Sequence, residues 1–276
     1  MAENIVLSNT EYKVVGTRPI RPDGTDKVTG RAKYGGDYQT AGILYGKVLR
    51  SSHAHARIKS IDTSKALAMT GVEAVLTGAD MPGANKDGAS RGTQMASDNL
   101  MARGKAVYKG HAIAAVAAVN QHVAEAAIAL IKVDFEVLPP VMDVRQAMAD
   151  DSPLIQEDLT TTDLGERTDK KSNIATHVQF TQGDIEKGFA AADVIVEREF
   201  TNKMVHQGYI EPQTASAIWN ESGEITIWTS TQGAFTARDA IAPILDMPVS
   251  KIKVVPMEIG GGFGGKIPVY LEPIAA

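Results

Sequence analysis

The apolar positions of this chain fall into two spacings, one near every second residue and one near every third or fourth. Alternating or continuous apolar runs predict strands at ILYGKVLR (43–50), ARIKSID (56–62), VEAVLT (72–77) and HAIAAVAAV (111–119). After the second of these, Asp62-Thr63-Ser64 offers N-cap oxygens for a short helix through Met69. Asn120 caps a longer helix, in which Val123, Ala126, Ala127, Leu130 and Ile131 recur at i, i+3, i+4, i+7 and i+8. IKVDFEV (131–137) follows as a strand, and Pro139-Pro140 ends it. A strand–helix–strand run of this kind predicts a mixed α/β (α+β) fold class. Farther on, IATHVQF (174–180), DVIVEREF (193–200), TASAIW (214–219) and EITIWTS (224–230) read as strands, the last two joined by the turn-like NESG (220–223). A helix from Ala234 to about Leu245 places Ala237, Ile241, Ile244 and Leu245 on one face, with Pro248 beyond its end. KIKVVPMEI (251–259) is the last predicted strand.

Polar stretches divide these elements. Residues 1–19 read as an extended lead-in, and Pro22 and Gly24 extend its punctuation. Residues 80–105, rich in Gly, Asn, Asp and Ser, read as a long loop of the kind found at interfaces or over sites. Residues 151–173 hold few large apolar side chains and read as a linker between a first domain, 20–150, and a second, 174–276.

Charge and composition narrow the chemistry. Lys and Arg total 28 against 33 Asp and Glu, a formal charge of −5, so the basic footprint needed by nucleic-acid binders is missing. Apolar residues make up 43%, enough for a packed core. The chain has no cysteine, which removes disulfides, thiolate zinc sites and cysteine-ligated iron–sulfur clusters from this polypeptide. The apolar run Ala112–Val119, eight residues, is too short to span a bilayer. MAENIVLSNT lacks a basic n-region and a long apolar core, so the expectation is a soluble, cytoplasmic protein.

The densest chemical signal is GGGFGGK (260–266), with five glycines among its first six positions. Glycines let backbone N–H groups crowd against a ligand, because no Cβ stands in the way and positive φ is free. Gly260, Gly262 and Gly265 match G-x-G-x-x-G, and Gly260 to Lys266 match the start of a P-loop. The P-loop match fails at Ile267, where Ser or Thr would hold Mg²⁺. The dinucleotide match lacks its acidic residue about 20 positions on. Pro268 at the first position of a helix would leave an anion site at a helix N-terminus open. A flexible hinge is the plainer reading, and the strong strand before the loop argues against it.

These residues also carry a resemblance. MEIGGGFGGK (257–266) resembles the pterin-contacting glycine loop of the molybdenum hydroxylases, the xanthine oxidase and aldehyde oxidase family. TSTQG (229–233) resembles that family's strand-end glutamine motif, and HQGYIEPQTASAIW (206–219) its His-x-x-x-x-Glu-Pro stretch. KVTGRAKYGGDY (27–38), LRSSHAHARIKSID (49–62), GVEAVLTGADMP (71–82) and VDFEVLPPVMD (133–143) resemble its first domain, the α/β hammerhead. Several motifs in order, from Pro22 onward, are far more specific than one glycine loop.

The resemblance implies a hammerhead domain followed by the first portion of a molybdopterin-binding domain. It implies hydroxylation of an aldehyde, an aromatic N-heterocycle or a similar small substrate with oxygen from water, or oxidation of carbon monoxide, at a molybdenum held by a pterin. In bacterial members the pterin usually carries a cytosine dinucleotide, and electrons leave through 2Fe–2S and FAD subunits. Gln232 would hydrogen-bond an oxo ligand of the metal through its amide, while Gly261, Gly262, Phe263 and Gly264 would wrap the pterin's metal end. Phe263 would place its backbone near molybdenum and help exclude water. The family's general-base glutamate is expected beyond Ala276, so no catalytic residue is assigned here. Glu272 matches a helix position and does not replace it. Alone the chain is expected to be inactive and to need the remaining molybdopterin-binding polypeptide as a partner. The alternative is an inactive fragment or an assembly scaffold that never holds metal. A generic nucleotide-phosphate binder using the loop alone is a further option. Ile267 stands where purine-oxidising relatives carry an acidic residue, which weighs against purines.

Other candidates have plainer readings. His53 and His55 would share a strand face but lack further ligands for a metal. His206 and Glu211 could form an acid–base pair, or simply buttress a loop. His111 reads as a satisfied core histidine, and Asp150-Asp151 as solvated. With G-x-S-x-G absent, hydrolase chemistry has no support.

Overall fold

The computed structural model describes residues 12–276; the first part of the predicted lead-in lies outside the described residues. In chain order the elements are α1 (Gly24–Thr29), β1 (Tyr45–Arg50), β2 (Ala56–Asp62), α2 (Ser64–Leu67), β3 (Val72–Thr77), α3 (Pro82–Asn85), α4 (Arg91–Leu100) and β4 (Lys105–Ala106). Then come β5 (Ala112–Ala118), α5 (Gln121–Ile128), β6 (Lys132–Val137), α6 (Val144–Met148), β7 (Thr160–Asp163), β8 (Glu166–Lys171) and β9 (Thr176–His177). The chain closes with α7 (Ile185–Ala191), β10 (Ala215–Trp219), β11 (Ile225–Thr229), α8 (Ala234–Ile244), β12 (Ile252–Pro256) and α9 (Glu272–Ala275).

The strands form small sheets. One has the order β1-β5-β3 and another β4-β2-β6, both antiparallel. Strand β5 is central and almost wholly buried. Its Ala114, Val116 and Ala118 meet α2 and α5, while Ala112 and Ala115 join a second cluster. Alanines suit a strand covered on both faces, because they let both layers approach closely. Asn120 caps α5 by accepting the N–H of Val123 at 2.9 Å. The buried stripe of α5 is turned from the predicted one: Ala124 and Ile128 face the core with Val123, Ala127 and Ile131, while Ala126 and Leu130 are exposed.

Four predictions need correction. Residues 80–105 are not a loop: they hold α3, α4 and β4. Helix α4 starts at Ser90, whose Oγ accepts the N–H of Thr93 at 3.1 Å, and its polar composition hid it. The 151–173 linker carries the hairpin β7–β8, whose Thr-rich sequence gave no apolar alternation. DVIVEREF (193–200) is extended and exposed but pairs with no strand among the described residues. A strand needs a neighbouring ladder to satisfy its backbone, and none lies beside this one. Only Thr176–His177 of the predicted strand 174–180 is paired, with β7.

The C-terminal sheet has the order β10-β11-β12, with β10 antiparallel and β12 parallel to β11. Helix α8 makes the crossover between the parallel strands, and its Ala237, Ile241, Ala242 and Ile244 are buried. The two halves of the chain share a core. Met81, Ala84, Met101, Ala112 and Ala115 from the first half pack with Ile244 and Leu271 from the second. Gly83 touches α8 so closely that a Cβ there would lie 1.9 Å from the carbonyl oxygen of Pro243. The segment before β1 also braces the second sheet. Tyr38 stacks on Trp228 at 4.3 Å, and Glu258 donates its N–H to Lys33 O at 3.0 Å.

Candidate functional site

Two loops meet at the carboxyl ends of the parallel strands β11 and β12, where open α/β sheets gather ligand-binding groups. The first is Ser230 to Gly233, running from β11 into α8. The second is 257–266, following β12. Thr229, Ser230 and Thr231 are buried, which pins the first loop to the sheet and leaves Gln232 as its exposed tip. The Thr229 hydroxyl donates to Thr214 O at 2.8 Å.

Backbone and side chain then lock Gln232 to the glycine loop. Its N–H donates to Lys266 O at 2.9 Å. Its Oε1 accepts the N–H groups of Gly264 and Lys266, each at 3.1 Å. With the carbonyl end occupied twice, Nε2 has no acceptor among the described residues and is left free to donate to something outside them. Gly262 is a glycine because of this contact: a Cβ there would lie 2.6 Å from Gln232 Oε1. Gly261 and Gly264 have φ of 96° and 87°, which favours glycine. Phe263 adopts φ 51° without that freedom, and its side chain is 73% exposed. Backbone strain of this kind concentrates at ligand sites.

The sequence-predicted residues Gln232, Gly261, Gly262, Phe263 and Gly264 are thus brought together, with Gln232, Phe263 and Gly264 exposed, Gly261 half-buried and Gly262 buried beneath them. Others are not. Pro268 starts no helix, since α9 begins only at Glu272, so no helix N-terminus stands behind the loop. Glu272 pairs with Arg50 at 3.3 Å. His206 and Glu211 do not pair with each other. His206 Nδ1 accepts the N–H of Gly208 at 3.0 Å, whereas Glu211 binds Lys266 at 2.7 Å. Lys266 and Tyr209 are participants that sequence reasoning missed. The one signal for them was a lone lysine closing an otherwise neutral loop.

The remaining candidates are structural. His55 Nδ1 bonds Pro139 O at 2.8 Å, and His53 sits edge-on to Phe135. His111 is buried, with Nε2 donating to Asp98 O at 2.7 Å and Nδ1 accepting the N–H of Val107 at 3.3 Å. Burial holds its pKa below the usual histidine range. Asp150 pairs with Lys170 at the surface. Among the described residues no group of three or more His, Asp or Glu side chains could hold a metal ion. No helix of the described residues is long and apolar enough to cross a membrane.

Comparison with known proteins gives the family. Residues 29–139 match the family described as aldehyde oxidase and xanthine dehydrogenase, a/b hammerhead domain. Residues 167–276 match the molybdopterin cofactor-binding domain. The chain belongs to the molybdenum hydroxylase family. It is 38% identical over 269 residues to the carbon monoxide dehydrogenase large chain of Afipia carboxidovorans, covering 95% of this chain and 33% of that protein. It is 32% identical to the nicotinate dehydrogenase large molybdopterin subunit of Eubacterium barkeri, covering 95% of this chain and 58% of that one. A crystal structure of quinoline 2-oxidoreductase from Pseudomonas putida 86 superposes with a TM-score of 0.79 at 28% identity, over 96% of this chain and 33% of that one. The chain therefore spans about a third of two of these relatives and 58% of the other. As a member of this molybdenum-dependent oxidoreductase family, it has the mixed α and β fold of a hammerhead and a molybdopterin-binding domain.

Proposed function

We propose that this chain forms part of the molybdenum-cofactor site of a hydroxylase that oxidises a small molecule with water as the oxygen source. An aldehyde, an aromatic N-heterocycle or carbon monoxide fits the range of the family. One observation carries the reading: Gln232 spends its carbonyl on the glycine loop and keeps its amide N–H₂ free on the exposed face. A neutral amide can donate to an electron-rich oxygen without adding a charge that titrates.

The residues present fit the group. A Cβ on Gly264 would meet nothing within 4 Å, so the loop is open there, and the close approach of Gly262 to Gln232 seats the amide against it. The absence of a three-ligand cluster among the described residues suits a metal held by its pterin and not by side chains. When bound, a molybdopterin supplies a two-electron redox centre at its metal. In this reading Gln232 donates a hydrogen bond beside that centre, Gly261, Gly262 and Gly264 wrap the pterin's metal end through backbone atoms, and Phe263 limits water. Among the described residues, none is assigned as the general base.

Partners complete the reading. Among the exposed side chains, Val194, Val196, Phe200 and Ile210 lie along the unpaired stretch before β10. Large apolar surfaces of this kind mark contact sites, which supports a further molybdopterin-binding polypeptide packing there. The 2Fe–2S centre and FAD would sit on partner subunits, since this chain has no cysteine to ligate iron. We further propose a cytosine dinucleotide form of the pterin, a cytoplasmic location and a domain change within 151–173.

Metal and pterin analysis of the protein from its native host, with every co-purifying chain identified, tests the proposal. Molybdenum with iron and flavin, in a complex containing this chain, is the expected result. Recovery of the chain in a complex without molybdenum or pterin would leave only the scaffold reading.

A further inference from the structure

A loop of five glycines has no side chains of its own to hold it in one shape. Here a carboxylate joins its two ends from outside. Glu211 Oε2 accepts the backbone N–H of Gly260 at 2.7 Å and the Nζ of Lys266 at 2.7 Å. These are the first and last residues of GGGFGGK. Contact at the first end leaves no slack, because a Cβ on Gly260 would lie 2.6 Å from Glu211 Cβ. At the other end the Lys266 side chain is completely buried, and its Nζ lies 4.9 Å from the centre of the Tyr209 ring. Glu211 is its one carboxylate partner among the described residues.

Lys266 also carries the two backbone groups that hold Gln232, its N–H bonding Oε1 and its C=O accepting the Gln232 N–H. The ion pair, both loop ends and the amide of Gln232 are therefore one connected network. Buried ion pairs add little net stability, and their best use is to impose a particular geometry. We propose that Glu211 and Lys266 are a positioning pair that sets the span of the glycine loop and, through Lys266, the direction of the Gln232 amide. The proposal rests on the reading of this loop as the cofactor contact. Neither residue touches the cofactor in it.

The test is hydrogen–deuterium exchange on the full chain, comparing wild type with Glu211→Gln, Lys266→Met and the double variant. Glu211→Gln leaves a buried ammonium facing a neutral amide. Exchange at 260–266 is expected to rise about tenfold or more, while β10, β11 and β12 keep their protection. The double variant removes the unpaired charge and so remains a folded comparison if Glu211→Gln does not fold. Its loop should still exchange faster than wild type, because Gly260 and Lys266 are no longer tied together. Wild-type exchange in the loop of the double variant, or equal loosening of loop and sheet in every variant, overturns the proposal. Pterin fluorescence after oxidative extraction of the holoprotein is the second readout. The single variants should retain less than a tenth of the wild-type pterin. Wild-type protein without pterin would instead reject the cofactor reading of the loop, with the exchange data still deciding the clamp.

Discussion

Gln232 and Lys266 bind each other twice: the N–H of Gln232 reaches Lys266 O at 2.9 Å, and the N–H of Lys266 reaches Gln232 Oε1 at 3.1 Å. Residues 34 positions apart are joined like rungs of a short ladder across the ends of two parallel strands. This pair of hydrogen bonds makes the amide of Gln232 part of the backbone framework and fixes which of its ends faces outward.

Substitution of Gln232 separates anchoring from donation. Gln232→Glu keeps an oxygen for the N–H groups of Gly264 and Lys266 but cannot donate when ionised. Turnover of the assembled enzyme should fall on the order of 100-fold, as for loss of one preorganised donor. Gln232→Ala removes both functions and should cost about 1–2 kcal/mol of stability besides. Steady-state kinetics and thermal unfolding on the same preparations check both. Full activity in Gln232→Glu would show that the free N–H₂ has no part in turnover.

Gly262→Ala probes the same contact from the other side. The new methyl would meet Gln232 Oε1 at 2.6 Å and Cδ at 2.8 Å, the end of a side chain that can swing away. The cost in stability should be about 1–2 kcal/mol, since swinging away gives up the hydrogen bonds that Gln232→Ala also loses. Swinging away also turns the amide off its direction, so pterin retention should drop about tenfold or more. Pterin content alongside urea unfolding measures the split. Unchanged pterin content would show that the close approach is incidental.

Much of this arrangement was legible before the fold was seen. Strand β5, helix α5 and strand β6 announce themselves because periodicity and the Asn120 cap are local signals. Gln232 and the glycine loop were legible through motifs. Helix α4 was not, because its polar surface and glycine masked a start marked only by Ser90. The 193–200 stretch has a strand's pattern without a strand's pairing, since ladders depend on neighbours that a local pattern cannot supply. The Glu211–Lys266 pair spans 55 residues, and nothing in either local sequence points to the other.

The joint between the two halves is tested at Gly83. There an added Cβ would meet backbone, the carbonyl oxygens of Pro243 at 1.9 Å and Ile244 at 2.8 Å, so α3 must move away from α8. Gly83→Ala should destabilise the chain by about 1–3 kcal/mol, as overpacking does. Gly104→Ala, where a Cβ meets nothing within 4 Å, is the control and should change little. Urea midpoints at constant slope make the comparison. Equal midpoints for the two variants would mean that α3 and α8 are not packed as described.

His111 makes stability depend on pH. Its ring is buried and neutral, with Nε2–H donating to Asp98 O and Nδ1 accepting from Val107 N–H. A proton on Nδ1 would face that N–H, and burial further disfavours the charge, so the folded pKa lies below the unfolded value. The unfolded chain then binds the proton first as pH falls. Stability is fully present above about pH 6.5, the unfolded histidine value, and is lost progressively as pH drops from there toward the folded pKa. His111→Gln removes the titration, so the drop in unfolding free energy between pH 7.5 and 5.5 should be smaller in the variant, even if it starts from a lower stability. An identical pH slope in the two proteins would mean that His111 takes up its proton equally well folded and unfolded.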